Sequence, residues 1–208
     1  TNGQTMSLAC GTYDLSGSFS SGYGFSSWSA TAGTIGSTST LSTTYRVTGP
    51  ATITLTGKQL VNYLDDVTYM QDLTAAQCSG SSDGVTATLI DRRDNNSYTI
   101  AKINGACWMT QNLRLSGGRT LTSADSNVTR NWSFLTGSLT SGNSYTEARS
   151  IVSSNTSYGG YYNYCAASAG TVCNDTTEQD ATQDICPKGW RLPTLDEMHG
   201  IRSYVSAF

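Results

Sequence analysis

"DICPKGWRLPTLDEMHGI", residues 184–201, is the densest run of informative residues in the chain. It sets a cysteine, two prolines, a tryptophan and a helix start side by side. Pro187 and Pro193 fix their own φ and bias the residues before them toward extended backbone, so the segment between them is expected to stay extended. Thr194 followed by Glu197 is a capping box, in which each side chain satisfies an exposed amide at a helix start. Leu195, Met198, Ile201 and Val205 then recur at helical spacing. The stretch reads as strand, tight entry and capped helix.

Its ionisable residues fit that architecture better than a reaction. His199 is the single histidine of the chain, and no cysteine nucleophile or GxSxG elbow accompanies it. Asp196 and Glu197 are adjacent in the first helical turn. That position suits capping and the helix dipole rather than glycoside cleavage, which needs carboxyls about 5–9 Å apart across a cleft.

The rest of the chain is thin Ser/Thr/Gly text. Only 13% of the 208 residues are charged, against about 25% in an ordinary domain. Ser and Thr fill the gap at roughly 30% of residues, which favours strands and loops over helices. Twelve Lys and Arg against fifteen Asp and Glu give a net charge of −3. That balance excludes a basic nucleic-acid footprint and a cationic face for a membrane. No apolar run approaches the ~20 residues of a membrane span. The start at Thr1, without Met or an apolar leader, is expected of a mature exported protein.

Residues 1–57 are expected to form a β-sandwich-like region. Tyr13, Phe19, Tyr23, Phe25 and Trp28 are spaced among Ser and Gly, and "YRVTGPATITLTG" (45–57) places Ile53 and Leu55 on one face and three threonines on the other. A boundary is expected at 57/58. "KQLVNYLDDVTYMQDL" (58–73) then predicts a short amphipathic helix through Leu60, Leu64, Val67 and Met70. "VTATLIDRRDNNSYTIAKI" (85–103) predicts a hairpin turning at Asp94-Asn95-Asn96, and "CWMTQNLRL" (107–115) a further strand. Residues 116–157 read as surface loops, 158–165 as an aromatic strand, and 167–184 as a loop pinned by cysteines.

Four of these segments carry a resemblance. "YMQDLTAAQC" (69–78), "LIDRRDNNSYTIAKINGACWMTQNLRL" (89–115), "YYNYCAASAGT" (161–171) and "ATQDICPKGWRLPT" (181–194) resemble the Fibrobacter succinogenes major paralogous domain, over about residues 69–208. The resemblance implies an exported surface protein of bacteria, including the very small-genome candidate phyla. It brings no catalytic residues with it. "GWRLPT" with its acidic helix start also resembles the C-type-lectin-like fold shared with formylglycine-generating enzymes, which implies a mixed α+β domain with long loops. The expected fold is therefore α+β and mostly β: a β region over 1–57, then a disulfide-braced, C-type-lectin-like domain over 58–208. The family domain usually continues through further strands, whereas this sequence stops at Phe208. Either the chain is trimmed there or the fold is completed otherwise, and an incomplete sheet would leave an edge that invites a neighbouring chain.

Six cysteines without a CxxC pair, and with one histidine, read as disulfides in an oxidising compartment rather than zinc ligands. Composition leaves their pairing open. Position favours Cys78–Cys107 across the base of the hairpin, Cys165–Cys173 across a short loop, and Cys10–Cys186 stapling the two regions, each bridge contributing about 2–4 kcal/mol. Asp175, Glu178, Asp180 and Asp184 crowd one loop with Asn174. They offer calcium a set of oxygen ligands without EF-hand spacing, and a solvated acidic loop is the plainer reading. No other cofactor is implied. Tyr161, Tyr162, Tyr164, Trp132 and Trp190 could stack on sugar rings or serve as core. Asn95, Asn127, Asn131, Asn155 and Asn174 each open an N-x-Ser/Thr triplet, and the hydroxyl tracts are as open to O-linked sugars.

The expected function is a non-enzymatic, extracellular surface protein, structural or adhesive. It is expected to polymerise with copies of itself by strand complementation. The alternative is a lectin-like module that binds glycans or neighbouring cells.

Overall fold

The structure is a computed structural model that describes residues 5–115, 119–134, 150–151, 160–162, 164–173 and 179–205. The chain divides into two compact units, Thr1–Val61 and Asn62–Phe208. The architecture is α+β and mostly β, with several small antiparallel sheets, short helices and two disulfides.

The first unit holds β1 (Gly11–Leu15), β2 (Tyr23–Ala30), β3 (Thr34–Ile35), β4 (Thr43–Val47) and β5 (Ile53–Gln59). One sheet has the order β1-β4-β3, and β2 pairs with β5 in a second. The alternation expected for 53–56 is present: Ile53 and Leu55 are half-buried and Thr54 and Thr56 exposed. Trp28 faces Leu55 across the β2–β5 pair and is buried, as is Tyr45 of β4. Both aromatics also satisfy their polar ends, Trp28 Nε1 donating to Leu41 O and Tyr45 OH to Ala32 O. Gly33 turns the chain into β3 at φ +79°, where a Cβ would sit 2.5 Å from Tyr45 OH and Arg46 O. β5 runs two residues past Gly57, so the expected boundary falls inside a strand and the division comes four residues later.

The second unit corrects the helix predicted over 58–73. Two 3-10 turns, Tyr63–Asp66 and Met70–Asp72, flank an extended Val67–Tyr69. β-branched Val67 and Thr68 interrupt the helix. Leu64, Val67 and Met70 still bury themselves, because a three-residue period suits tight turns as well as a helix. The regular helix here is α1 (Ala75–Gly80), opened by a Thr74/Gln77 capping box that the sequence reading passed over.

β6 (Thr86–Ile90), β7 (Ser97–Ile103) and β8 (Ala106–Met109) form the main antiparallel sheet. The predicted hairpin is its β6–β7 pair, and its turn places Asn95 at φ 60°. β8 covers only the start of the strand expected over 107–115; Leu113 and Leu115 are buried from irregular backbone. β9 (Arg119–Leu121) pairs with β10 (Trp132–Phe134), and β11 (Ser150–Ile151) with β12 (Gly160–Tyr161), inside and beside the stretch expected to be loops.

Two further expectations change. Of the aromatic strand expected over 158–165, β12 is present and α2 (Tyr164–Ala167) takes up its end, while 158, 159 and 163 lie outside the described residues. The Cys165–Cys173 bridge, with Cα atoms 4.4 Å apart, folds the chain back there. Residues 184–194 form no strand beyond a single bridge between Pro187 and Ser126. The capped helix is present as α3 (Leu195–Val205): Glu197 N donates to Thr194 Oγ1 and Thr194 N to Glu197 Oε2. Among the described residues no helix is long and apolar enough to cross a membrane.

Candidate functional site

The polar residues of the two longest motifs meet at a single place. Asp91 follows the last residue of β6 and opens the hairpin turn, where its carbonyl accepts from the Asn95 amide. Its carboxylate is fully buried and accepts from Arg93 Nη2 at 2.6 Å, from Arg93 Nε, from the Arg93 amide and from Gln71 Nε2. Burial works against the charged form of Asp91, yet the Arg93 guanidinium and these hydrogen bonds outweigh it and hold the carboxyl below its usual range. Arg93 Nη1 reaches on to Ile185 O at 2.6 Å and Ser126 Oγ at 3.1 Å, and Arg119 Nη1 donates to Arg93 O.

Asp184 anchors the other side of this network and is also fully buried. One carboxylate oxygen accepts from Asn127 Nδ2 at 2.8 Å and from the Leu192 amide at 2.9 Å; the other accepts from the Cys186 amide at 2.9 Å. The Asn127 amide donates to Cys186 O, and the Asp184 amide returns to Asn127 O. Trp190 Nε1 completes the closure by donating to Met70 O at 2.8 Å. The stretch 184–192 is thus pinned to the hairpin turn, to residues 125–127 and to Met70. Such a fully satisfied polar network fixes one arrangement of loops that have little apolar area of their own.

Each expected site residue can be placed against this geometry. Cys78–Cys107 and Cys165–Cys173 are bridged, with Cα atoms 5.9 and 4.4 Å apart. Cys10 and Cys186 are not paired. Cys10 is exposed, whereas burial, and then the Asp184 carboxylate, push the Cys186 thiol well above its usual range and leave it protonated inside its own unit. Of the calcium candidates, Asp184 accepts from Asn127 and from two amides, and Asp180 is exposed. Asp175, Glu178 and Asn174 lie outside the described residues. No three His, Cys, Asp or Glu side chains converge among the described residues.

The described members of the sugar-stacking set are placed by their polar tips or by close packing. Trp190 serves Met70, Tyr162 OH donates to Leu113 O and Leu115 O, and Tyr164 OH donates to Gln179 O. The Trp132 ring lies so close on Gly170 that a Cβ there would come within 2.5 Å of it. The Tyr161 side chain lies outside the described residues. Among the triplet asparagines, Asn127 is half-buried and donates from its side-chain nitrogen to Asp184. Asn95 and Asn131 are exposed, and Asn155 lies outside the described residues. His199 and Asp196 are exposed on α3, and Glu197 pairs with Arg191 at 2.5 Å, which lowers its pKa to about 2.

Sequence reasoning missed a polar groove of about 290 Å³ lined by Asp66, Thr68, Tyr69, Asp72, Gln77 and Arg92. Arg92 grips Asp72 with both terminal nitrogens, at 2.8 and 2.5 Å, and lies 4.3 Å from the centre of the Tyr69 ring. Only the fold joins residues twenty positions apart, so no local pattern announces the groove.

No curated protein and no solved structure matches the chain. The family model described as the Fibrobacter succinogenes major domain matches residues 101–207, from β7 to the end of α3 and beyond. That span takes in "CWMTQNL" and "CPKGWRLPT", whose residues build β8 and the Asp184–Trp190 closure. By that match, the chain belongs to the Fibrobacter succinogenes major domain family.

Proposed function

We propose that this chain is an exported bacterial surface protein with a structural or adhesive role and without catalysis. One observation carries the reading: Asp91, Arg93, Asp184 and Trp190, where the two longest motifs meet, spend their polar atoms on neighbouring side chains and on main-chain groups. Groups engaged in this way, with Asp91, Arg93 and Asp184 closed to solvent, hold loops in place. Two disulfides in one chain suit an oxidising, extracellular setting.

Assembly with copies of itself is the finer part of the proposal. β2 and β5, of eight and seven residues, make a sheet of two strands in the first unit. Such a sheet gains most from an added strand, since isolated pairs are marginal. Negative-stain imaging of the native material tests this directly. Fibres with a regular repeat are expected. Single particles at every concentration would end the filament reading, and retention on immobilised glycans would move the assignment to the lectin-like alternative.

A further inference from the structure

Lys102 lies on β7 with its side chain buried, 3% exposed. Its ammonium donates to Cys78 O at 2.8 Å and Gly105 O at 2.7 Å, and it sits 3.9 Å from the Cys78 sulfur. Among the described residues no carboxylate reaches ion-pair distance of it. Asp83 also serves this hairpin, but its carboxylate accepts from the Gly105 amide. A buried cation held only by neutral acceptors favours any negative charge that can form beside it. The atom placed to take that charge is Cys78 Sγ, one half of the Cys78–Cys107 bridge. Both cysteines of that bridge are half-buried, whereas Cys165 of the second bridge is 1% exposed.

We propose that Cys78–Cys107 is a thiol–disulfide exchange site polarised by Lys102, with Cys107 the sulfur attacked and Cys78 the sulfur that leaves. The incoming group is a thiolate. Its sulfur bonds to Cys107 Sγ, the Cys78–Cys107 bond breaks, and the electron pair stays on Cys78 as a thiolate beside the ammonium. A second thiol then attacks the mixed disulfide, leaving Cys107 reduced and the two thiols joined as their own disulfide. A leaving thiol of lower pKa departs faster, so a cation on one side sets both the rate and the direction of the opening.

The probe is reduced glutathione, applied to a Cys10→Ser background so that the exposed thiol does not compete. Acid quenching and peptide mass spectrometry then locate the adduct. Glutathione is expected on Cys107, with Cys78–Cys107 opening before Cys165–Cys173. In the fully opened bridge at pH 6.5, iodoacetamide should modify Cys78 about tenfold faster than Cys107. Lys102→Met should erase that preference and Lys102→Arg should keep it. An adduct on Cys78, prior opening of Cys165–Cys173, or an unchanged preference in Lys102→Met would overturn the proposal. Should Lys102→Met fail to fold, the adduct position and opening order in the unsubstituted Lys102 protein decide alone.

Discussion

Asp91 and Arg93 form an ion pair closed to solvent, with 2.6 Å between Oδ2 and Nη2 and side chains 0% and 2% exposed. The pair is two residues apart in sequence, yet Arg93 Nη1 reaches Ile185 O, ninety-two residues away. The hairpin turn thereby becomes a socket for the later motif.

Truncating one partner of such a pair leaves the other charged and buried. Arg93→Ala is expected to destabilise the second unit by about 3–5 kcal/mol, read from urea midpoints. Arg93→Lys should recover only part of the loss, because a point charge cannot reach Asp91 and Ile185 O together. A loss no larger than that of Arg92→Ala, at the exposed Asp72 pair, would show that the network does not hold the fold.

Acid should find the same place. The folded Asp91 carboxyl titrates below its unfolded value of about 3.9. Its contribution to stability is therefore present above pH ~4 and is lost as pH falls through the lower folded value. Denaturation midpoints measured stepwise should stay level from neutral pH to about 5, then fall. Asp91→Asn should start lower and fall less steeply. Glu197, with a folded value of about 2, shifts the same way, but it is a surface group and contributes little.

The two unpaired thiols should differ sharply. With the native protein, iodoacetamide should label Cys10 and spare Cys186 until urea unfolds the second unit. The folded Cys186 thiol keeps its proton above the unfolded value of about 8.5. Stability from this group is complete below that pH and declines above it, as the unfolded thiol ionises first. Cys186→Ala should flatten the decline between pH 8 and 10; an equal slope in both proteins would refute it.

Gly170 and Gly84 offer a matched pair. Both adopt positive φ, +78° and +90°, but only at Gly170 would a Cβ meet anything, the Trp132 ring at 2.5 Å. Gly84→Ala should cost about 1 kcal/mol for backbone strain alone. Gly170→Ala should cost about 1–3 kcal/mol more, since a rigid ring must move. Melting temperatures of the two variants settle the comparison.

Much of this was legible in the chain. Period-two alternation gave the half-buried face of Ile53 and Leu55. Thr194 and Glu197 gave the helix start, and the positions of four cysteines gave two bridges. These are local signals, or pairings between segments that punctuation had already marked. Val67 and Thr68 misled because a three-residue apolar period fits 3-10 turns and α-helix alike, and only their extended backbone separates the two. Asp184 misled for another reason. An acid in a loop looks solvated until the fold buries it and brings Asn127, fifty-seven residues away, to 2.8 Å. The Arg92–Asp72 groove was silent for the same cause.

The bond from Trp190 to the carbonyl of Met70 has a consequence for the order of events during synthesis. A chain leaving the ribosome N-terminus first exposes Met70 a hundred and twenty residues before its cap exists. Until then the hairpin socket stands empty, and the Met70 carbonyl lacks its indole donor. Closure of the second unit must await its late segment, which makes the contact slow to form and gives a holding chaperone a defined window in which to act.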